Sequence, residues 1–301
     1  MANQIINRML KLKTRPMMGN VSSENFELVE EEVRDIEDGE ILIKNLFLSF
    51  DPTQRGWLND VPSYIPPVKI GEIMRASSVG RVFESKNENF SIDDIVQGSF
   101  GWQEYAISGD EKGFMPPRKL PEGITPTSAL SIYGVTGLTA YFGMIDIGKP
   151  EKNNTVLISG AAGATGSVAG QIARIKGATN VIGIAGGSDK CKWVVEEAGF
   201  DSCIDYKNED VAKRVTELAP KGLDIYFDNV GGSILEIALG NIAQKARVVM
   251  CGGISSGYTM ERLAPGPSTV FNLIIQRGRM EGFIVLDYAE QFPHAIMELA
   301  G

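Results

Sequence analysis

Metal-ligating side chains are scarce in this chain of 301 residues. It has one histidine, His294, and three cysteines, Cys191, Cys203 and Cys251. Their spacings do not resemble a structural or catalytic zinc site. Three cysteines are also too few for a disulfide framework. The sequence therefore predicts a protein without a metal site and without disulfide cross-links.

An excess of positive charge is also absent. Lys and Arg number 29 against 38 Asp and Glu, a formal net charge of −9, so no basic surface is expected for nucleic acid. Two uncharged stretches, 123–145 and 155–173, are long enough to cross a bilayer, but both are rich in Gly, Ser and Thr. We interpret them as buried segments of a protein without a membrane partner. No continuous apolar run follows the basic residues of the N-terminus, so a cytoplasmic location is expected.

The length and a change of pattern along the chain predict two domains. The first part consists of short strand patterns broken by turns, such as 40–49 and 78–83. After Pro150, apolar strands alternate with helical patterns, which is typical of βαβ units and a parallel sheet. We therefore predict an α/β protein with a β-rich domain over residues 1–125 and a doubly wound dinucleotide-binding domain over residues 126–301.

The second half has the content of a doubly wound fold, in which strands alternate with crossover helices. The predicted strands are 155–159, 180–185, 202–204, 224–227, 247–251 and 280–285. The predicted helices are 166–176, 189–198, 208–218, 233–242 and 267–276.

A glycine-rich turn lies between the first strand and the first helix of this half. Residues 161–166, AAGATG, match the dinucleotide fingerprint with Ala161 in place of its first glycine. Gly163 would let the backbone approach a pyrophosphate, and Gly166 would let the helix pack closely on the strand. The position of the turn in a βαβ series favours dinucleotide binding over a structural turn without a ligand.

The end of the next strand indicates which dinucleotide binds. NAD-selective sites carry a carboxylate there, about 20 residues past the glycines, whereas this chain has Gly186, Gly187 and Ser188. Lys190 follows and would meet a 2′-phosphate with a cation. The alternative is that Asp189 plays the acidic part and Lys190 is a solvated surface lysine. We favour NADP over NAD.

Seven motifs follow one another along the chain. They are SFDPTQRGW (49–57), PSYIPPVKIGEIMRASSVGRV (62–82), GLTAY (137–141), AAGATGSVAGQIA (161–173), IDYK (204–207), FDNVGG (227–232) and CGGIS (251–255). Together they resemble the zinc-independent branch of the medium-chain dehydrogenase/reductases. Within that branch the chain is most similar to the NADPH-dependent 2-alkenal, prostaglandin and curcumin reductases, over nearly its whole length.

This resemblance implies a GroES-like substrate domain, a Rossmann domain and NADPH between them. The pyrophosphate would be held by Ala162, Gly163, Ala164, Thr165 and Gly166, the 2′-phosphate by Lys190 and Tyr206, and the nicotinamide-ribose side by Asn229. The nicotinamide pocket would be lined by Cys251, Gly252, Gly253, Ile254, Ser255, Phe283, Ile284 and Val285. Family members usually extend beyond the position of Gly301 with a segment that returns to the substrate domain, and we expect that segment to be missing. A homodimer joined near 271–285 is also implied.

The reaction implied by the resemblance is reduction of the C=C bond of α,β-unsaturated ketones or aldehydes. Hydride transfer to the β-carbon leaves an enolate, which needs a hydrogen-bond donor at oxygen and a later proton at the α-carbon, but no metal. Tyr258 is the expected donor, although Gly257 looks like an extra residue before it, and the alternative is a loop aromatic that covers the pocket. Arg55 and Tyr64 are candidate substrate contacts, with turn structure as the alternative for both.

Two other functions remain open from the sequence. A quinone reductase of the same superfamily would use the same cofactor site with a planar diketone. A non-catalytic NADPH-binding protein would keep the cofactor site and lack the reaction.

Overall fold

The computed structural model describes residues 4–16, 20–110, 115–257 and 266–301. The chain divides between Leu130 and Ser131 into two compact units, called here the N-terminal and C-terminal units. None of the described helices is long and apolar enough to span a membrane.

The N-terminal unit is built around antiparallel strands. Its described elements are β1 (Ile6–Leu12), β2 (Phe26–Glu32), β3 (Glu40–Leu48), α1 (Thr53–Trp57), β4 (Ser78–Ser85), β5 (Ile95–Gly98), β6 (Tyr105–Gly109), β7 (Arg118–Lys119) and α2 (Pro126–Leu130). β1 pairs with β2, and the other strands form a sheet in the order β6-β3-β4-β5-β7. The strands predicted at 40–49 and 78–83 are confirmed as β3 and β4. Ile41 and Ile43, two residues apart on one face of β3, pack with Val82 and Val96 in the core of this unit.

A parallel sheet forms the centre of the C-terminal unit. Its described elements are α3 (Val135–Phe142), β8 (Thr155–Ser159), α4 (Ala164–Ile175), β9 (Asn180–Ala185), α5 (Ser188–Glu196), β10 (Ser202–Asp205), α6 (Val211–Leu218), β11 (Leu223–Asp228), α7 (Gly232–Gly240), β12 (Ile242–Met250), α8 (Asn272–Gln276), β13 (Arg279–Gly282) and α9 (Phe292–Ala300). The strand order is β10-β9-β8-β11-β12-β13, with every neighbouring pair parallel. This is the order of the doubly wound dinucleotide fold, and it confirms the predicted fold class.

The central strands of the sheet, β8, β9 and β11, are buried on both faces. Val156 and Ile158 of β8 belong to one hydrophobic cluster, which includes residues of α3 and α4. Leu157, between them, belongs to a second cluster with residues of α7. Alternate side chains of a strand point to opposite faces, so the continuous apolar run of β8 is the pattern of a central parallel strand.

Several predicted bounds were wrong. β13 ends at Gly282, because the ring of Phe283 turns to pack near Gly143 and Tyr288. The predicted strand residues 283–285 therefore lie outside the sheet. Ile242 was predicted as a helix end but begins β12, where it pairs with Leu223.

The start of α6 was also predicted too early. The helix begins at Val211 and not at residue 208, because the Asp210 carboxylate caps it by accepting a hydrogen bond from Lys213 N at 3.1 Å. The helix predicted at 267–276 is a short 3₁₀ segment, Ser268–Phe271, followed by α8.

Candidate functional site

The winding of the parallel sheet reverses between β8 and β11, which are neighbours in the strand order. In open α/β sheets, ligands bind at the carboxyl ends of the strands beside such a switch point. These ends carry the loops 160–163 and 229–231. The candidate site therefore lies on these two loops.

The loop after β8 leaves the start of α4 open. Gly163 is the N-cap residue, and among the described side chains none caps the helix. Gly163 and Ala164 are exposed at this end. The first N–H groups of a helix have no partner within it and carry partial positive charge, so this helix start is suited to a phosphate.

Gly166 lets α4 approach the loop closely. An added Cβ at this position would clash with the carbonyl oxygen of Gly160 and would lie 3.0 Å from the Cα of Ala161. Gly160 itself has a φ of +62°, a conformation that favours glycine. This geometry agrees with the packing role expected for Gly166.

Ala161 stands where the fingerprint has its first glycine, and a neighbouring strand accommodates its methyl group. Ala161 is fully buried, and its N–H donates to the carbonyl of Ile184 at 3.0 Å. An added Cβ at Gly183 of β9 would lie 2.8 Å from the Ala161 Cβ. Gly183 therefore supplies the space that Ala161 occupies. A glycine inside a strand often marks such a close approach, but the sequence analysis did not use this signal.

A recess of about 240 Å³ lies beside the start of α4. It is lined by Ala162, Asp189, Lys190 and Trp193. The structure thus brings the glycine-rich turn and Lys190 to one place. It also places Asp189 there, so both of the side chains considered for cofactor selection border the recess.

The tip of β9 carries the predicted glycines, and Tyr206 lies against them. An added Cβ at Gly186 would lie 2.7 Å from the Tyr206 ring and 2.8 Å from its hydroxyl oxygen. The Tyr206 side chain is 51% exposed. Gly187 has a φ of +102° and is the N-cap residue of α5. Tyr206 is therefore at the end of the strand where a ribose 2′-substituent is recognised in this fold.

A buried carboxylate occupies the second glycine-rich turn, after β11. Asp228 is fully buried, and its Oδ1 accepts hydrogen bonds from Tyr226 Oη at 2.7 Å, Ser159 Oγ at 3.1 Å, Val230 N at 2.9 Å and Gly231 N at 2.8 Å. Among the described residues, its Oδ2 has no hydrogen-bond partner. This carboxylate accepts hydrogen bonds from the backbone N–H groups of the turn that leads into α7. At the start of α4, the described side chains supply no such anion.

Asn229 joins the ends of β8 and β11. Its Nδ2 donates to the carbonyl of Ser159 at 2.7 Å, and its backbone N–H donates to Ser159 Oγ at 2.9 Å. Its own carbonyl accepts from Ile254 N at 3.4 Å, and Ser255 N donates to Val230 at 3.0 Å. The structure therefore brings Asn229 and the segment 251–255 together.

The other residues predicted to line the nicotinamide pocket differ in how far they are buried. Cys251 N and Gly252 N both donate to the carbonyl of Asp228 at 2.9 Å. Val285 is buried in the core of the C-terminal unit, and Phe283 packs against that core. Gly253 precedes the 3₁₀ segment Ile254–Ser256, in which Ile254 is exposed. Ile284 is half-buried and precedes the 3₁₀ helix Val285–Gln291. Thr165 is half-buried in the first turn of α4.

The predicted substrate contacts, Arg55 and Tyr64, belong to the N-terminal unit. Tyr258 lies outside the described residues. Arg55 donates from Nη1 to Asn59 Oδ1 at 2.7 Å. The hydroxyl of Tyr64 accepts from Trp57 Nε1 at 3.0 Å and is hydrogen-bonded to the hydroxyl of Thr53. Arg55 and Tyr64 thus have contacts within the turn structure of the N-terminal unit.

The three thiols are held in their protonated form. Burial raises the pKa of Cys251 to about 12, and the nearby Asp228 carboxylate adds to the shift. Burial also raises the pKa values of Cys191 and Cys203. Because the thiolate is the reactive species, none of these cysteines has the character of a nucleophile. In the described part of the chain, no group of three or more His, Cys, Asp or Glu side chains is arranged to hold a metal ion.

The chain is similar to known oxidoreductases in both sequence and structure. Residues 8–116 match the family described as the N-terminal domain of oxidoreductase, and residues 164–301 match the family described as zinc-binding dehydrogenase. The NADPH-dependent curcumin reductase of Escherichia coli (strain K12) is 38% identical, and the match covers 97% of this chain and 83% of that protein. The 2-alkenal reductase (NADP(+)-dependent) of Nicotiana tabacum is 36% identical over 84% of this chain and 73% of that protein. The crystal structure of CurA in complex with NADPH from Vibrio vulnificus superimposes with a TM-score of 0.88 at 37% identity, over 97% of this chain and 87% of that one.

We expect Asp228→Ala to destabilise the protein by about 3–5 kcal/mol, because four donors lose a shared buried acceptor. Asp228→Asn keeps Oδ1 and changes the oxygen without a partner, so its cost should be smaller, at about 1–2 kcal/mol. Urea unfolding followed by circular dichroism measures both values. Asp224→Ala is the matched control, since among the described residues the side chain of Asp224 accepts from one donor, Thr155 N, at 2.8 Å. Equal losses for Asp228→Ala and Asp224→Ala would contradict this account of Asp228.

Proposed function

The chain belongs to the medium-chain dehydrogenase/reductases, in the branch of the NADPH-dependent curcumin and 2-alkenal reductases, and from that membership we propose that it reduces the carbon–carbon double bond of α,β-unsaturated ketones and aldehydes with NADPH. The structural observation that carries the NADPH part of this proposal is the open start of α4 beside a recess lined by Lys190.

The residues of the C-terminal unit fit this cofactor. The uncapped amides of α4 suit a pyrophosphate, and Gly166 lets the start of this helix approach the loop after β8 closely. We assign the pyrophosphate to Ala162–Gly166 and the 2′-phosphate to Lys190 and Tyr206. The nicotinamide ribose is assigned to Asn229. The nicotinamide pocket is assigned to residues 251–255 and 283–285.

NADPH supplies the hydride in this chemistry. The contribution of the chain is to hold the substrate carbonyl and to stabilise the negative charge that develops on its oxygen. A phenol hydroxyl is a suitable donor for that oxygen, and we assign this role to Tyr258. The α-carbon then takes a proton from solvent, so no histidine or carboxylic acid is needed at the reacting carbon.

We propose that the reaction does not use zinc. Catalytic zinc is usually held by three protein ligands drawn from His, Cys, Asp and Glu. The first 190 residues contain neither cysteine nor histidine, although the family matched by residues 164–301 is described as zinc-binding dehydrogenase. An alcohol must be polarised before it can give up a hydride, and zinc does this in zinc-dependent dehydrogenases. The β-carbon of an enone is already electron-poor and can accept a hydride without a metal.

We also propose that the protein is a homodimer joined at the edge of the parallel sheet. β13 is the last strand in the order, and all four of its residues are exposed. Large apolar side chains are also exposed on β13, on α8 and on the 3₁₀ segment Ser268–Phe271 before α8. They are Val270, Phe271, Ile274, Ile275 and Met280. An exposed strand edge beside exposed apolar side chains is a surface that proteins cover.

The proposed reaction is tested by steady-state turnover of a medium-chain enone with NADPH. We expect a kcat in the ordinary enzyme range of about 1–10³ s⁻¹ and the saturated ketone as the product, identified by mass spectrometry. A simple quinone and the saturated ketone serve as control substrates. Turnover of the quinone alone would favour a quinone reductase, and binding of NADPH without turnover of any enone would favour a non-catalytic protein.

The cofactor assignment is tested by Lys190→Ala. Loss of a cation beside a dianionic phosphate should raise the KM for NADPH by about tenfold or more and leave the KM for NADH nearly unchanged. Lys192→Ala is the matched control, because Lys192 is exposed on the same helix and lies 3.8 Å from Glu196. Equal effects of Lys190→Ala on both cofactors would contradict the assignment.

The homodimer is tested by sedimentation velocity. The wild-type protein should sediment as a dimer, and Ile274→Lys should shift it toward the monomer, because a charge replaces an apolar contact. Ile175→Lys is the control, since Ile175 is 79% exposed against 70% for Ile274 and lies at the end of α4. A wild-type monomer, or equal shifts in the two variants, would count against this interface.

A further inference from the structure

We propose that Asp205 is a positioning residue for selection of the 2′-phosphate, acting through Gly187 and Tyr206 and without touching the cofactor. The proposal rests on the NADPH binding proposed above and identifies the residue that gives the adenosine end of that site its shape.

Asp205 lies at the end of β10 and pairs with Ala185, the last residue of β9. Asp205 is buried. Oδ1 accepts from Gly187 N at 2.8 Å and from Lys207 N at 3.0 Å, and Oδ2 accepts from Asn208 Nδ2 at 2.7 Å. One carboxylate therefore ties the tip of β9 to the loop that carries Tyr206.

These bonds restrict Tyr206 from several sides. Its backbone N–H donates to the carbonyl of Ala185 at 3.1 Å, and its ring lies where a side chain at Gly186 would stand. The residues before and after it, Asp205 and Lys207, are joined by the hydrogen bond to Oδ1. The exposed phenol of Tyr206 is thus held beside Gly186 at the strand tip.

The negative charge of Asp205 is stabilised by hydrogen bonds from Gly187, Lys207 and Asn208. The hydrogen bond from Gly187 N is the main cause that lowers the pKa of Asp205, followed by the bond from Asn208. In NAD-selective sites a carboxylate at this end of the sheet accepts hydrogen bonds from the ribose hydroxyls. In this chain the carboxylate of Asp205 is on β10, the strand next to β9, and its oxygens accept hydrogen bonds from protein groups. It therefore shapes a site for a 2′-phosphate instead of binding a free ribose.

The experiment measures binding of adenosine 2′,5′-bisphosphate and of 5′-AMP by calorimetry, so that neither turnover nor nicotinamide is involved. Asp205→Ala should weaken binding of the bisphosphate by about tenfold or more and change binding of 5′-AMP by less than about twofold. Asp205→Asn keeps Oδ1 as the acceptor for Gly187 N and Lys207 N and should restore most of the affinity. Asn208→Ala, which removes one donor, should give a smaller loss in the same direction and serves if Asp205→Ala does not fold.

Asp201→Ala is the matched control. Asp201 accepts from Val181 N at 2.7 Å and lies 2.6 Å from Arg174, so it joins the same two strands at their opposite ends. Its replacement should lower stability and leave the preference for the bisphosphate unchanged.

The outcomes separate the two proposals. If the wild-type protein binds both nucleotides equally, NADPH selection fails and the role of Asp205 fails with it. If the wild-type protein prefers the bisphosphate and Asp205→Ala keeps that preference, only the role of Asp205 is overturned. An equal loss of both nucleotides in Asp205→Ala, or the same change of preference in Asp201→Ala, would also overturn it.

Discussion

The close approach of α4 to the loop after β8 is the constraint on which the rest of the site depends. Gly166 permits it, because any side chain there would meet the carbonyl of Gly160. The approach fixes where the free amides of the helix point and therefore where an anion is stabilised. It also fixes the buried position of Ala161, which is possible only because Gly183 has no side chain. The geometry of the turn after β8 therefore depends on Gly166 of α4 and on Gly183 of β9.

The two glycine-rich turns of the sheet have opposite electrostatic roles. At the start of α7, the Asp228 carboxylate accepts from two backbone N–H groups, so the protein supplies its own anion there. At the start of α4, the described residues supply none, and an external phosphate can take that place. Asp228 also accepts through its carbonyl from Cys251 and Gly252. One buried residue therefore sets the positions of the loops after β11 and β12, where the nicotinamide half of the cofactor is proposed to lie.

Much of the C-terminal unit was predictable from sequence because its strands are short, apolar and bounded by glycines. β8 and β9 have the predicted bounds, and the alternation of strands and helices predicted a parallel, doubly wound sheet. The roles of Asp205 and Asp228 were not predicted, since their partners include groups that only the folded chain brings near. The end of β13 was missed for a similar reason, because the packing of Phe283 near Gly143 is a tertiary contact. Arg55 was proposed for its charge and Tyr64 for its place between prolines, and neither property specifies side-chain partners.

The burial of the three thiols has a chemical consequence for a protein proposed to handle unsaturated carbonyl compounds. Such compounds alkylate sulfur by conjugate addition, and the attacking species is the thiolate. Burial raises the pKa of Cys251 to about 12, so its thiolate fraction at neutral pH is lower than that of an exposed thiol. Cys191 and Cys203 change in the same direction. The fold thus gives its own sulfur atoms a resistance to covalent inactivation by the reagents it is proposed to consume.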